Sequence, residues 1–478
     1  MAARFKKHRS VVSRTGLSGR ARAAALALAL TSTLAACGGT DEHVSQPVVS
    51  GFVGAVAADE PRAALVARDI LAKGGNAADA AAALGLALSV SLPSRASLGG
   101  GGACLAWRPG ETAGQAFVFL PQGPSQSDAK ADRPASVPLL ARGLFLMQMR
   151  YGSVDFADLI VPARNLASRG VPVGGLLAAD LAAVQSSLLA DDKVRAVFGN
   201  DNGHVLAADD MLVQTRLAGA LERMRIAGVG DLYTGALAQT FVEGTQAAGG
   251  GLTSADLRGD VPVAEPPLTV HARGLDISFL PPPADGGIGM AAAYLAGGRG
   301  GERTVAAWRA RQTGKGSSVS VADAQALLNS GGLSSGGALP ALPASTSFVV
   351  TDRQGQTVAC ALSMNNLFGT GRIAGSTGIV LGASPAQRPQ PLLAAGIVRQ
   401  GSEFRAAATA SGQNVAADTA AIALQAAVAG VRPQVTNGNG RANFVSCPGG
   451  LSSGSGRCFG WTDPRGSGLA VGSSPVGH

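Results

Sequence analysis

A strand–turn–strand pattern near residue 350 constrains this 478-residue chain more than any other feature. A hydroxyl-rich turn containing Ser345 and Thr346 leads into an apolar, β-branched run that ends at Asp352. A second run of this kind, Thr357–Ser363, follows a short turn at Gln354–Gly355. Apolar runs of this length between turn residues are typical of buried strands, and the short connection predicts a hairpin. The chain is therefore expected to place two hydroxyl groups at the head of a central strand.

Upstream of this hairpin, the sequence predicts two helices and a further strand. Helical periodicity runs from Glu60 to Lys73 and stops at two glycines. Asn76 is a good first cap for a second, alanine-rich helix that continues to about Ser91. Four glycines, Gly99–Gly102, then precede a strand at Cys104–Trp107 and permit very close approach of neighbouring backbone.

The amino terminus has the pattern of an export signal. Residues 1–36 contain seven arginines and lysines and no acidic residue, followed by the apolar run Ala23–Leu34. This run has 12 residues, fewer than a membrane-spanning helix requires, and small residues follow it, as in a cleaved signal peptide. We expect residues 37–50 to be a tether and the folded body to begin at about Gly51.

The four residues Leu34–Cys37 resemble the lipobox of bacterial lipoproteins. The resemblance implies cleavage before Cys37, diacylation of Cys37, and, because Gly38 follows, a periplasm-facing position on the outer membrane. An ordinary signal peptide cut near Ala36 remains the alternative.

Charge and composition exclude several function classes. The leader carries seven of the positive charges behind the net charge of +8, so the rest of the chain is close to +1. This balance gives no support for nucleic-acid binding. The five histidines are not at ligand spacing from a cysteine, and the pattern predicts neither a metal nor a cofactor.

Four cysteines lie in the folded body. Cys447 and Cys458 flank a Gly/Ser-rich turn and, in an oxidising compartment, are expected to form a local disulfide. Cys104 and Cys360 lie in apolar, strand-like runs and are expected to be small core residues.

Several segments in the same order resemble the γ-glutamyltranspeptidase family. They are Gly74–Ala81, Gly99–Gly102, Ser136–Pro138, Gly170–Val173, Pro281–Gly287, Ser345–Leu381 and Asp463–Arg465. The resemblance implies a four-layer αββα sandwich of the N-terminal nucleophile hydrolase class. It also implies a large-subunit-like part, 51–344, and a small-subunit-like part, 345–478, of one domain.

The same resemblance implies self-cleavage and acyl-enzyme chemistry. In the family, the precursor cuts itself before a hydroxyl residue, which then attacks a γ-glutamyl amide and passes the acyl group to water or an amino acid. The nucleophile position falls on Ser345, and a shift of one residue would make it Thr346. Ser363 falls where a threonine supports the nucleophile's amine. Asn365 falls where an asparagine contacts the substrate, and Gly412 where a glycine helps to form the oxyanion hole.

Other family positions have changed in this chain. Leu120 replaces the arginine that binds the substrate carboxylate, and a leucine cannot make those hydrogen bonds. Ser384 and Gln387 occupy the places of a glutamine and an aspartate that bind the substrate α-amino group. Gln413 replaces a second oxyanion glycine. The stretch between Gly298 and Ala344 is short and Gly/Ser-rich, and we expect it to lack the family's charged helix.

Two function classes remain open from the sequence. One is an amidohydrolase or acyltransferase that acts on a glutathione-like or less charged small-molecule amide, anchored to the membrane by lipid. The other is a catalytically inactive envelope lipoprotein that keeps the scaffold for a binding or structural role. Fold resemblance alone does not choose between them.

Overall fold

The fold is built on two large antiparallel sheets. The computed structural model describes residues 52–125, 131–312, 320–331, 336–386, 389–434, 438–451 and 458–472. Its strands are β1 (Gly54–Ala58), β2 (Gly101–Trp107), β3 (Gln115–Phe119), β4 (Val171–Pro172), β5 (Met211–Leu212), β6 (Val263–Glu265), β7 (Leu268–Ala272), β8 (Leu275–Phe279), β9 (Thr346–Asp352), β10 (Thr357–Ser363), β11 (Ala394–Gln400), β12 (Glu403–Ser411), β13 (Arg441–Ser446), β14 (Phe459–Thr462) and β15 (Leu469–Val471). One sheet has the order β15-β1-β9-β10-β2-β3-β6, the other β14-β13-β12-β11-β8-β7, and β4 pairs with β5 separately.

The helices are α1 (Pro61–Ala72), α2 (Ala77–Ser91), α3 (Leu140–Tyr151), α4 (Phe156–Arg169), α5 (Gly175–Leu188), α6 (Asp192–Phe198), α7 (Thr215–Ala227), α8 (Asp231–Thr234), α9 (Ala236–Ala247), α10 (Ser254–Gly259), α11 (Gly286–Leu295), α12 (Gly301–Gln312), α13 (Val321–Asn329) and α14 (Ala416–Ala429). Within the part of the chain that the structure describes, none of these helices has the length and apolar character needed to cross a bilayer.

Three hydrophobic cores separate four layers. The first lies between the seven-stranded sheet and helices centred on α2. The second lies between the two sheets and contains Trp107, Val349 and Ile397. The third lies between the six-stranded sheet and helices α11 and α14. This is the predicted αββα sandwich, in which each sheet buries both of its faces.

The predicted hairpin lies at the centre of the seven-stranded sheet. Because side chains alternate along a strand, Phe348 and Val350 enter the helix-facing core and Val349 enters the core between the sheets. The turn is closed by the Asp352 carboxylate, which accepts hydrogen bonds from Gln354 N and Gln356 N. The result is a rigid strand pair whose first residue follows Ser345 directly.

Helix α2 fixes the other end of this hairpin. Asn76 caps the helix by accepting hydrogen bonds from Ala78 N and Asp79 N, as the sequence predicts. The second carboxylate oxygen of Asp352 accepts a bond of 3.0 Å from Ala77 N. The glycine run serves close packing, since a Cβ on Gly101 would collide with the carbonyl oxygen of Phe119.

Two expectations from the sequence were wrong. The segment after Gly298 contains helices α12 and α13, where an unpatterned stretch was expected. Helix α12 forms because Val305 and Trp308 bury against α11 and α14, contacts that its many charged residues conceal. Cys104 and Cys360 are not free core residues: they form a disulfide, because β2 and β10 pair with these two residues directly opposite each other.

Candidate active site

Ser345 lies at the entry of β9 with its side chain inside the protein. It is 1% exposed, and its hydroxyl oxygen has no hydrogen-bond partner among the described residues. Its own carbonyl oxygen accepts a bond of 3.2 Å from Arg95 Nη1. A buried hydroxyl usually finds a partner, so this group is available for another interaction.

Thr346, the neighbouring candidate, is already engaged. Its buried hydroxyl donates to Asp59 Oδ2 over 3.1 Å. Asp59 Oδ2 also accepts a bond of 3.0 Å from Ser347 N. Thr346 Oγ1 is therefore part of a hydrogen-bonded network that fastens β9 to the end of β1.

Asp59 is the centre of that network. It directly follows β1, and its Oδ1 accepts a bond of 2.8 Å from Asn443 Nδ2. Burial raises the pKa of the Asp59 carboxyl above its ordinary value, although the bonds from Asn443 and Ser347 and the charge of Arg95 oppose that rise. Sequence reasoning missed Asp59 and Asn443, whose contact spans 384 positions; the available signal was a carboxylate at the end of an otherwise apolar strand.

Ser363 reaches the peptide bond that precedes Ser345. Its hydroxyl donates to the carbonyl oxygen of Ala344 over 2.8 Å and accepts a bond of 2.9 Å from Asn365 N. The resemblance placed Ser363 beside the nucleophile's amine; in the uncut chain its contact is with the neighbouring carbonyl instead. A donor in this position is aimed at an oxygen that would gain negative charge if the carbonyl carbon were attacked.

Asn365 is fully buried in the left-handed backbone region, with φ of 56°. Neither its amide oxygen nor its amide nitrogen has a partner within the described residues. Leaving such a group unsatisfied costs about 1–3 kcal/mol, and asparagine is among the residues that tolerate this φ best. Asn366, the next residue, lines the adjoining cleft.

Gly412 directly follows β12 and lines the cleft. Its φ of 131° is strained for any residue with a side chain, and a Cβ there would come within 2.5 Å of Gly440 Cα. The adjacent Gln413 donates from Nε2 to Leu342 O over 2.9 Å. The two positions thus hold the wall of the cleft against the segment that leads to Ser345.

A cleft of about 660 Å³ reaches Ala344, but Ser345 and Ser363 are not among the described residues that line it. Asp59, Ala344 and Gly412 line it, together with Arg95 and Arg441. This volume is ample for a small-molecule ligand.

The charged groups of the cleft are mostly paired. Arg95 binds both carboxylate oxygens of Asp180 at 2.8 Å. Arg465 likewise binds Asp463 through Nε at 2.9 Å and Nη2 at 2.6 Å. Arg441 differs, because its guanidinium donates to the backbone oxygens of Gly438 and Gly440 and forms no ion pair with a described carboxylate.

Some predicted residues lie away from this cleft. Ser384 is buried and its Oγ accepts a bond from Ala386 N; it is not among the described residues that line the cleft. Leu120 is buried in the core between the sheets. Gln387 and Cys37 lie outside the described residues. The second disulfide joins Cys447 to Cys458 in the core between the two sheets.

Known proteins can now be compared with this arrangement. The family described as gamma-glutamyltranspeptidase matches residues 63–297. The glutathione hydrolase proenzyme of Escherichia coli (strain K12) is 30% identical in an alignment 397 residues long that covers 72% of this chain and 68% of that protein. This chain belongs to the γ-glutamyltranspeptidase family.

Coverage of other family members is narrower. The glutathione hydrolase proenzyme of Bacillus subtilis (strain 168) is 31% identical in an alignment 257 residues long that covers 50% of this chain and 43% of that protein. The chain thus spans less than half the length of this relative. Among solved structures, cephalosporin acylase from Bacillus halodurans superposes with a TM-score of 0.70 at 19% identity, covering 90% of this chain and 97% of that one. This likeness shows that the present chain has the same fold as that acylase.

Proposed function

We propose that this protein is a self-processing amidohydrolase or acyltransferase that cuts itself before Ser345 and then uses the freed residue as nucleophile. The observation that carries the proposal is the pair of hydroxyl groups around one peptide bond. Ser345 Oγ is buried and has no partner among the described residues, and Ser363 Oγ holds the carbonyl oxygen of Ala344. A nucleophile and an oxyanion donor thus flank the Ala344–Ser345 bond.

The self-cleavage step needs no outside reagent except water. Ser345 Oγ attacks the carbonyl carbon of Ala344, and the hydroxyl proton passes to the departing nitrogen as the C–N bond breaks. An ester between Ala344 and Ser345 results. Water then hydrolyses this ester, which leaves a carboxylate on Ala344 and a free hydroxyl and amine on Ser345.

The structure supports Ser345 over Thr346 for this role. Attack by Thr346 would require its hydroxyl to leave Asp59, and it would break the bond whose carbonyl oxygen is held by Arg95. Ser345 needs no such rearrangement, because its hydroxyl has no competing bond within the described part of the chain. Thr346 instead keeps the strand in place next to the reacting group.

The freed residue would then act on an external amide. Its α-amine takes the proton of its own hydroxyl, the oxygen attacks the substrate carbonyl, and an acyl-enzyme ester forms as the substrate amine leaves. Water or an amine then accepts the acyl group. Gly412 and Ser363 are the groups we assign to oxyanion stabilisation at this stage.

Charge in the cleft suggests the kind of acyl group. Arg441 lies two residues before Asn443 on β13, so the two side chains share a face of the strand. Asn443 reaches Asp59, while Arg441 forms no ion pair with a described carboxylate; its charge acts on Asp463, which is already paired with Arg465. We therefore propose a substrate whose acyl part carries a carboxylate that binds Arg441, as a glutathione-like amide does.

Denaturing electrophoresis under reducing conditions, with intact mass of the smaller fragment, tests the proposal. We expect the purified chain to split into two fragments, the second starting at Ser345. Ser345→Ala should remain whole, whereas the matched Thr346→Ala should still be cut, and circular dichroism should show that both fold. Cleavage that persists unchanged in Ser345→Ala would refute this assignment.

A second candidate function is a non-catalytic envelope lipoprotein. It is favoured by Leu120, which is buried between the sheets and leaves the cleft without the family's arginine at that position. A folded wild-type chain that stays whole and hydrolyses no acyl anilide would support this candidate instead.

A further inference from the structure

The Cys104–Cys360 disulfide joins two strands that the proposed cut would assign to different chains. Cys104 lies on β2 and Cys360 on β10, and the two residues are directly opposite in the register of the sheet. Their Cα atoms are 4.1 Å apart, and both side chains are fully buried on the helix-facing side. Residues directly opposite on neighbouring antiparallel strands are close enough for their side chains to meet, and here the two sulfurs are bonded.

The positions of the two cysteines along the chain give this disulfide its significance. They are 256 residues apart, and the bond between Ala344 and Ser345 lies between them. The Cys447–Cys458 disulfide spans 11 residues and lies entirely after that bond. Only the first disulfide therefore crosses the proposed cleavage point.

We infer that the processed protein remains one covalent molecule, its two chains joined through Cys104 and Cys360. This inference rests on the proposed self-cleavage. The disulfide forms when two thiols lose two protons and transfer two electrons to a disulfide oxidant such as oxidised glutathione, which is reduced to two thiols. Since both sulfurs are buried, a reductant reaches them only when the sheet opens.

Denaturing electrophoresis, run without and with reductant, separates the outcomes, because the denaturant removes the non-covalent contacts between the two fragments. In a Cys37→Ser background, alkylated wild-type protein should run as one species without reductant and as two fragments with it. Cys447→Ala/Cys458→Ala is the matched control and should behave in the same way. Cys104→Ala/Cys360→Ala should give two fragments even without reductant.

A peptide map keeps the inference testable if that last variant fails to fold. Digestion of unreduced, alkylated wild-type protein should yield a disulfide-linked pair of peptides containing Cys104 and Cys360. Two fragments that separate without reductant, or alkylated thiols at both positions, would overturn the inference. A chain that is uncut yet contains the linked peptides would refute the proposed self-cleavage alone.

Discussion

At the scale of single residues, two groups stand out: the buried Ser345 hydroxyl, which has no hydrogen-bond partner among the described residues, and the Arg441 guanidinium of the cleft, which forms no ion pair with a described carboxylate. Thr346, next to Ser345, already donates to Asp59, and the described hydrogen bonds of the Arg441 guanidinium go to backbone oxygens. A ligand that supplies a carbonyl carbon to the first and an anion to the second would complete both.

Replacement of Arg441 should therefore separate substrates by charge. In Arg441→Gln we expect kcat/KM for glutaryl p-nitroanilide to fall roughly 10- to 100-fold, since a hydrogen bond to a charged group contributes about 1.5–3 kcal/mol. The neutral valeryl p-nitroanilide should change less than about twofold on the same grounds. Arg432→Gln, on the exposed surface, is the control. Equal losses on both anilides would contradict a role in binding the carboxylate.

Asp59 should make stability depend on pH in a predictable direction. Because its pKa is raised in the folded protein, the folded state holds the proton more tightly than the unfolded state does. The stabilisation that this tighter proton binding gives the folded state is fully present below the pKa of the unfolded state. It is lost as the pH rises through the pKa of the folded state. Asp59→Asn removes this titration, so the variant should gain stability relative to wild type between about pH 4.5 and 7.5.

Urea unfolding at both pH values measures this difference. Asp69→Asn, at an exposed site, is the control, and groups that titrate alike in all three proteins cancel from the comparison. Parallel pH profiles for Asp59→Asn and wild type would show that the carboxyl does not titrate as described.

At the scale of elements, sequence patterns correctly predicted the helices and strands that form between residues close together in the chain. The hairpin at Thr346–Ser363, the Asn76 cap and helix α2 all depend on contacts within a few positions. The Asp59–Asn443 bond and the Cys104–Cys360 disulfide could not be predicted from spacing, because they depend on which distant strands pair. Helix α12 was missed because its burial is provided by α11 and α14 and not by its own composition.

Helix α2 offers a test of one such local element. Asn76→Ala removes an acceptor for two amides of the first turn and a bond from Nδ2 to Tyr151 O. We expect the free energy of unfolding to fall by about 1–2 kcal/mol, the usual effect of losing a helix cap. Asn202→Ala, in an exposed turn, should change it little. Equal chemical-denaturation curves for the two variants would count against the cap.

At the scale of the whole molecule, the proposed lipid anchor sets where the protein acts. If Cys37 is diacylated, the protein should incorporate labelled palmitate and sediment with the cell envelope. Cys37→Ser should abolish the label and move the protein to the soluble fraction, while its melting temperature stays unchanged. An unlabelled wild-type protein would indicate an ordinary cleaved signal peptide.

The order of strands in the seven-stranded sheet also dictates a sequence of events. β9 and β10, from beyond the proposed cut, are flanked by β1 and β2 from before it. Ser363 and Asp59, which hold the residues at that cut, take their places only once these strands have paired. The proposed self-cleavage should therefore occur only after the sheet has formed, because in a nascent or partly folded polypeptide the groups that would carry it out are not yet in position.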